Sequence, residues 1–182
     1  MGEAKPYTFY LLRSGSGRQT YTGISNRPER RIRCHRGEIK GGAKWPMSWK
    51  TGCEFVLQVH GFQTRGIAQS FECRTKRRYR TPKLGFSQWL RELQARTGRR
   101  FPGSGVVFRT LTILHLLTLE KWQKMDLELE WFDKRYAPLE DLVGGKFSPT
   151  KNKEDQSEEK EKSGECCQPE ESMKAVDLRS AK

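Results

Sequence analysis

Hydrophobic and polar positions divide this chain into short, recognisable segments. Pro6–Leu12 and Thr20–Ile24 are aromatic-rich strand signals, and Ser14-Gly15-Ser16-Gly17 between them has the composition of a hairpin turn. Pro28–Arg36 reads as a helix, because Ser25 or Asn26 suits its cap and Pro28 its first turn. Gly37–Thr51 is rich in glycine and lysine and reads as a loop. Glu54–His60 alternates around Phe55, Leu57 and Val59, which predicts a third strand. Thr64 caps a second helix running from Arg65 to about Arg78 and presenting Ile67, Ala68, Phe71 and Glu72. Phe86–Arg96 is amphipathic, with Trp89, Leu90 and Leu93 on one stripe. Phe108–Leu119 is strongly apolar, and the spacing of Leu111, Leu114 and Leu117 favours helix over strand. Leu127–Phe132 alternates like an edge strand. From Ser148 the chain turns Lys-, Glu- and Ser-rich with few apolar residues, which predicts a disordered tail.

Charge follows the same division. Residues 1–148 hold 28 Lys and Arg against 13 Asp and Glu, while the remaining 34 hold 7 against 9. The basic character therefore belongs to the part expected to fold. Basic residues interleaved with Trp45, Trp49, Tyr79 and Trp89 fit a polyanionic partner better than a merely soluble surface. A transmembrane helix is excluded, since no run of about twenty apolar residues occurs. The N-terminus lacks the apolar stretch of a secretory signal, so an intracellular protein is expected. Its five cysteines are odd in number and irregularly spaced, which argues against a disulfide framework and against a zinc site.

The residues with chemistry to offer converge on phosphodiester hydrolysis. That reaction needs an oriented nucleophile, a group to take its proton, and positive charge on the non-bridging oxygens. Arg31 and His35 lie four apart on one helical face, a fixed cation beside a titratable imidazole. Tyr10 and Tyr21 supply phenols that can orient water, or deprotonate it if nearby cations lower their pKa. Glu72 is the best-placed carboxylate for a metal. Each has a plainer reading: the tyrosines as cross-strand neighbours, Arg31 as a solvated cation, His35 as a helix C-terminal residue, Glu72 in a surface pair with Arg74 or Lys76. His60 and His115 read as structural. Trp45 and Trp49 read equally as DNA contacts or as cover for the core edge.

Thr8-Phe9-Tyr10 and Tyr21-Thr22-Gly23 resemble the two strings that name the GIY-YIG nuclease superfamily. The chain is more closely similar to the catalytic subunits of the eukaryotic SLX structure-specific endonucleases. Arg30-Arg31-Ile32-Arg33-Cys34-His35 resembles that branch's first helix and Lys40-Gly41-Gly42-Ala43 its loop. Val59-His60-Gly61-Phe62 resembles its third strand and turn, Phe71-Glu72 its second helix, and Leu111–Phe132 the part that follows. The resemblance implies an α+β fold: a small mixed sheet of about three strands flanked by helices, with a C-terminal helical extension. The expected division is a nuclease core over residues 6–82, an extension over 83–147 packed on it, and the tail over 148–182.

The resemblance also implies roles. Tyr10 and Tyr21 position or activate the attacking water, Arg31 stabilises the pentavalent phosphate, and His35 assists proton transfer or binds phosphate. Glu72 ligates a divalent metal, Mg2+ or Mn2+. Arg30, Arg33, Lys40, Lys44, Arg74, Lys76, Arg77 and Arg78 are the expected DNA contacts. The expected activity is endonuclease cleavage of branched double-stranded DNA (flaps, forks or Holliday junctions) in a nuclear protein of repair and recombination. The alternatives are a silent branched-DNA-binding module and a homing or restriction nuclease on the same core. Thr8 and Thr22 depart from the motif but are ordinary strand residues. The resemblance offers the branch's scaffold subunit as a further partner. That subunit docks through a C-terminal RING-like zinc module whose Cys and His ligands are not found here, so it cannot simply be carried over.

Overall fold

The computed structural model describes residues 6–41, 43–49, 52–77 and 85–144, with the side chains of Trp45 and Arg77 outside that description. Arg78, Tyr79, Arg80, the boundary expected after residue 82 and the tail expected over 148–182 also lie outside it.

The hairpin forms as strands β1 (Tyr7–Ser14) and β2 (Thr20–Ser25), followed by helix α1 (Pro28–His35). Neither Ser25 nor Asn26 caps that helix. Arg27 holds the N-cap position without a side-chain bond, and the Ser25 hydroxyl instead accepts the Arg27 N–H at 3.0 Å. Pro28 at the helix start has no N–H to satisfy, which lowers the need for a cap. The predicted loop over Gly37–Thr51 contains one helical turn, α2 (Lys44–Met47). Strand β3 (Cys53–Phe62) and helix α3 (Arg65–Arg77) follow. The Thr64 hydroxyl accepts the Ile67 N–H at 3.3 Å, in the capping role expected of it.

The sheet has four strands in the order β2-β1-β3-β4 and every pairing is antiparallel. It is therefore neither mixed nor three-stranded. The fourth strand is β4 (Glu128–Trp131), the segment whose alternation predicts an edge, and it pairs along Leu57–His60. The Val56 carbonyl accepts both the Phe132 and Asp133 N–H groups at 3.1 Å, extending the attachment past the ladder.

Helices α4 (Phe86–Thr97), α5 (Gly105–Thr118), α6 (Glu120–Gln123) and α7 (Pro138–Val143) surround β4 in sequence. The apolar run is indeed helical. Helix α5 is buried on every side from Thr110 to Leu117 and divides its apolar residues between two clusters. Ile113, Leu114 and Leu117 join the sheet's main core with Phe9, Leu11, Leu57 and Val59. Phe108 and Leu111 join Phe86 and Leu93 of α4 in a second cluster. Aromatic rings hold α3 in the main core: Phe71 stands edge-on to Phe9 at 5.0 Å and to Trp122 at 4.9 Å between centroids. At the end of β3, Gly61 takes φ +97°, and a side chain there would overlap the Asp126 carbonyl. Only glycine meets both demands.

Candidate active site

Alternation along β1 places Tyr10 and Leu12 on the face opposite Phe9 and Leu11. There they form a small cluster with Ile32 of α1, Trp49 and Cys53, against which Tyr21 and Phe55 pack half-buried. Trp49 thus covers a core edge. Tyr10 pairs directly with Gly23 of β2. A Cβ at Gly23 would overlap the Tyr10 phenol, so the ring lies over a strand position that must have no side chain. The glycine of Tyr21-Thr22-Gly23 therefore exists for the sake of Tyr10.

His35 is fully buried beneath this cluster. Its Nδ1 accepts the Ala43 backbone N–H at 3.2 Å, and its Nε2 lies 2.9 Å from the Tyr10 hydroxyl oxygen. A backbone N–H can only donate, so Nδ1 is unprotonated. In the neutral ring the proton then sits on Nε2 and is donated to Tyr10 Oη. Burial first, and the Arg31 charge second, lower the His35 pKa to about 4. The imidazole is accordingly neutral at physiological pH and fixes the orientation of Tyr10.

Tyr10 itself departs from the expectation that neighbouring cations lower its pKa. Burial and the proximity of Tyr21 hold the phenol above its ordinary range, and Arg31 opposes them only in part. With its oxygen accepting from His35, Tyr10 keeps its own proton available to donate. Tyr21 is the more exposed phenol. Its ring meets His35 edge-on at 5.0 Å, and Lys76 Nζ lies 5.9 Å from its centroid.

Glu72 enters from α3, on the position next to the Phe71 anchor. Its carboxylate takes an ion pair from Lys76, four residues on, at 2.6 Å, and is largely shielded from solvent. The Glu72 charge is one of the influences raising the Tyr10 pKa, so the two share one field. Tyr10, Tyr21, Arg31, His35 and Glu72 thus gather around one point. Among the described residues no three His, Cys, Asp or Glu side chains form a metal-ligating group. A lone carboxylate still suits a hard divalent ion that keeps several waters and takes its remaining oxygens from substrate phosphate.

Arg31 Nη1 donates to the Gly41 carbonyl at 2.6 Å, and the Cys34 thiol reaches the Lys40 carbonyl at 3.6 Å. Together with the Ala43–His35 bond, these pin Lys40, Gly41 and Ala43 onto α1. Lys40 and Lys44 are exposed. Arg30 is exposed on α1, while Arg33 pairs with Glu38 at 3.0 Å, and Arg74 is half-buried on α3. Lys76 is committed to Glu72.

Three residues escaped the sequence reading. The role of Gly23 was hidden in strand register. Gln58 lies directly across from Tyr10 on β3, buried, with neither amide atom bonded to another described residue. A polar residue inside an alternating strand is its only sequence signal. Thr8, the departure from the first motif, bonds through its hydroxyl to His60 Nδ1 at 3.2 Å, and His60 Nε2 meets Glu130 at 2.8 Å. His60 therefore ties β1 to β4, the structural part expected of it.

Comparison with known proteins agrees with this geometry. Residues 6–84 match the model of the GIY-YIG catalytic domain. The structure-specific endonuclease subunit SLX1 of Xenopus laevis is 30% identical over 116 residues, 64% of this chain and 38% of the relative. The Homo sapiens subunit of the same name is 28% identical over 126 residues, 69% and 42% respectively. That of Candida glabrata is 33% identical over 136 residues, 73% and 42%. The chain spans less than half the length of these curated relatives.

Proposed function

Because residues 6–84 match the GIY-YIG catalytic domain, we propose that this chain is a metal-dependent endonuclease that hydrolyses phosphodiester bonds in branched DNA. The observation that carries the reading is the convergence of the His35-bound Tyr10 with Tyr21, Arg31 and Glu72 on one face of a basic domain. The relatives are named structure-specific endonuclease subunits, which supports a structure-selective cut, and flaps, forks and Holliday junctions are the substrates proposed here. A nuclear location follows from a chromosomal substrate.

In this mechanism Tyr10, held by His35, keeps its proton and donates a hydrogen bond to the attacking water, which orients it. Tyr21, half-exposed beside it, accepts a hydrogen bond from that water, whose proton passes to solvent as the new P–O bond forms. Arg31 faces the charge growing on the phosphate oxygens, where a guanidinium can pair with two of them. The P–O bond opposite the water breaks, and the departing strand oxygen gains a proton from solvent. Glu72 would hold Mg2+ or Mn2+, which supplies further positive charge to the phosphate. Lys76 must release Glu72 for this, which leaves its ammonium free for DNA. On this reading residues 6–82 carry the chemistry, while β4 extends the sheet and α5 packs into its main core.

The test is incubation of the chain alone with labelled flap, fork, Holliday-junction and linear DNAs and magnesium. Cleavage of a branched substrate is expected. Glu72→Ala should retain DNA binding and lose cleavage by at least about a hundredfold, on the order of 3 kcal/mol of barrier. Binding to every branched DNA without a cut on any would overturn the enzyme reading in favour of a silent binding module. Equal cleavage by wild type and Glu72→Ala would overturn the metal assignment.

A further inference from the structure

A second basic feature adjoins the reaction centre and is not needed to explain it. Between the β2–α1 turn and the start of α3 lies a cleft of about 330 Å³. Arg27, Arg30, Arg31 and Arg65 line it, together with Asn26 and Tyr7, and no carboxylate does. Elsewhere Arg13, Arg33, Arg36 and Arg135 each pair with an acid. None of the four cleft arginines has such a partner among the described residues. Four like charges brought together without a counter-charge repel one another, and an anion in the cleft relieves that repulsion.

Two further features fix the kind of anion. The first turn of α1 has no side-chain cap, so its N–H groups add to the positive potential at the cleft. Tyr7 and Ile24 supply an aromatic and an apolar wall beside the arginines, which suits the sugar and base that flank a phosphodiester better than a free inorganic ion. Arg31 belongs to both places. It lines the cleft, and it stands within electrostatic reach of the Tyr10 phenol. A strand whose scissile phosphate lies at Tyr10 and Glu72 therefore passes Arg31 directly into the cleft.

We propose that this arginine-lined cleft seats the neighbouring backbone phosphate of the cut strand and so holds the strand on one side of the scissile bond. Arg27 and Arg65 then act as binding residues outside the reacting group. The inference rests on the nuclease reading for its substrate, DNA, but is tested apart from cleavage. Methylphosphonate linkages, which remove one backbone charge at a time, are placed singly along a branched DNA, and affinity is measured with EDTA present. In the wild-type chain one position next to the cut should weaken binding about tenfold. The Arg27→Gln/Arg65→Gln variant should bind unmodified DNA roughly ten- to a hundredfold more weakly, as expected for lost charge-assisted bonds. It should also be indifferent to methylphosphonate at that position, with its salt dependence reduced by about one unit of slope.

Both arginines are exposed, so a matching melting temperature checks that the variant is folded. Arg27→Lys/Arg65→Lys should recover part of the affinity. Millimolar inorganic phosphate should compete only weakly; full competition by it would mean an anion site without strand specificity and would overturn the proposal. Affinity of the glutamine variant within twofold of wild type, or retained sensitivity at the same linkage, would overturn it as well. A wild-type chain that cuts nothing yet shows the linkage effect would sink the nuclease reading alone. Cutting without any linkage effect would sink the cleft alone.

Discussion

The two faces of β1 do different work with neighbouring residues. Phe9 and Leu11 point into a dry cluster shared by β3, α3, α5 and Trp122. Tyr10 and Leu12 point the other way, into a small cluster that includes buried histidine and phenol hydrogen-bonded to each other. The first face gains stability from area removed from water. The second spends some of it: a buried imidazole held neutral, a raised phenol and an unpartnered amide at Gln58 are all costly arrangements. Functional geometry and stability are thus separated by one residue step, half the two-residue period of a strand. Substitutions on the first face should damage stability and cleavage together, and those on the second should separate the two.

The largest expected effect lies on the apolar face. Phe71→Ala removes a fully buried ring that touches Phe9, Phe62 and Trp122, and should cost about 3–5 kcal/mol in a urea unfolding experiment. Cleavage should fall with it, since Glu72 is the next residue. A Phe71→Ala protein of normal stability would show that the aromatic cluster does not anchor α3.

On the opposite face, Gly23→Ala should act mainly on catalysis. The added methyl displaces the Tyr10 phenol from its bond with His35, and cleavage should drop roughly a hundredfold, as for an angstrom-scale misplacement of a reacting group. Unfolding should change by no more than about 1–3 kcal/mol. Unaltered cleavage would mean that Tyr10's position is not set by its contact with β2.

The smallest effect is a pH dependence. The folded-state pKa of His35 is about 4, below its ordinary 6.5, so the unfolded chain binds the extra proton first as pH falls. Stability contributed by the neutral ring is present above pH 6.5 and lost progressively toward pH 4. Between pH 7 and pH 5 the loss attributable to His35 is about 2 kcal/mol. His35→Gln should flatten that limb relative to wild type when denaturation midpoints are compared across the range. Parallel curves for the two proteins would place the imidazole in a more hydrated setting than the buried one described.

Much of this was legible from local pattern. Strand alternation, the apolar run of α5, the Thr64 cap and the order of the short motifs are properties of neighbours in the chain. They led to the hairpin, the helices, the family, and the five residues proposed to act. What escaped depends on which strand lies beside which. That β4 completes the sheet requires its pairing with β3, seventy residues away. That Gly23 must be glycine follows from the ring across the ladder. That His35 is a buried acceptor and donor at once, and that Lys76 occupies Glu72, follow from loops and helices closing over one another. Charge was readable by count, but that Arg65 joins the sequence neighbours Arg27, Arg30 and Arg31 in one cleft depends on α3 lying beside α1 in space. Sequence by itself determined the periodicities, the charge balance and the chemical repertoire of this protein, because those are carried by residue type and spacing. Only the tertiary structure decided protonation, partner and burial at the site, because desolvation and hydrogen bonding depend on contacts between segments far apart in the chain.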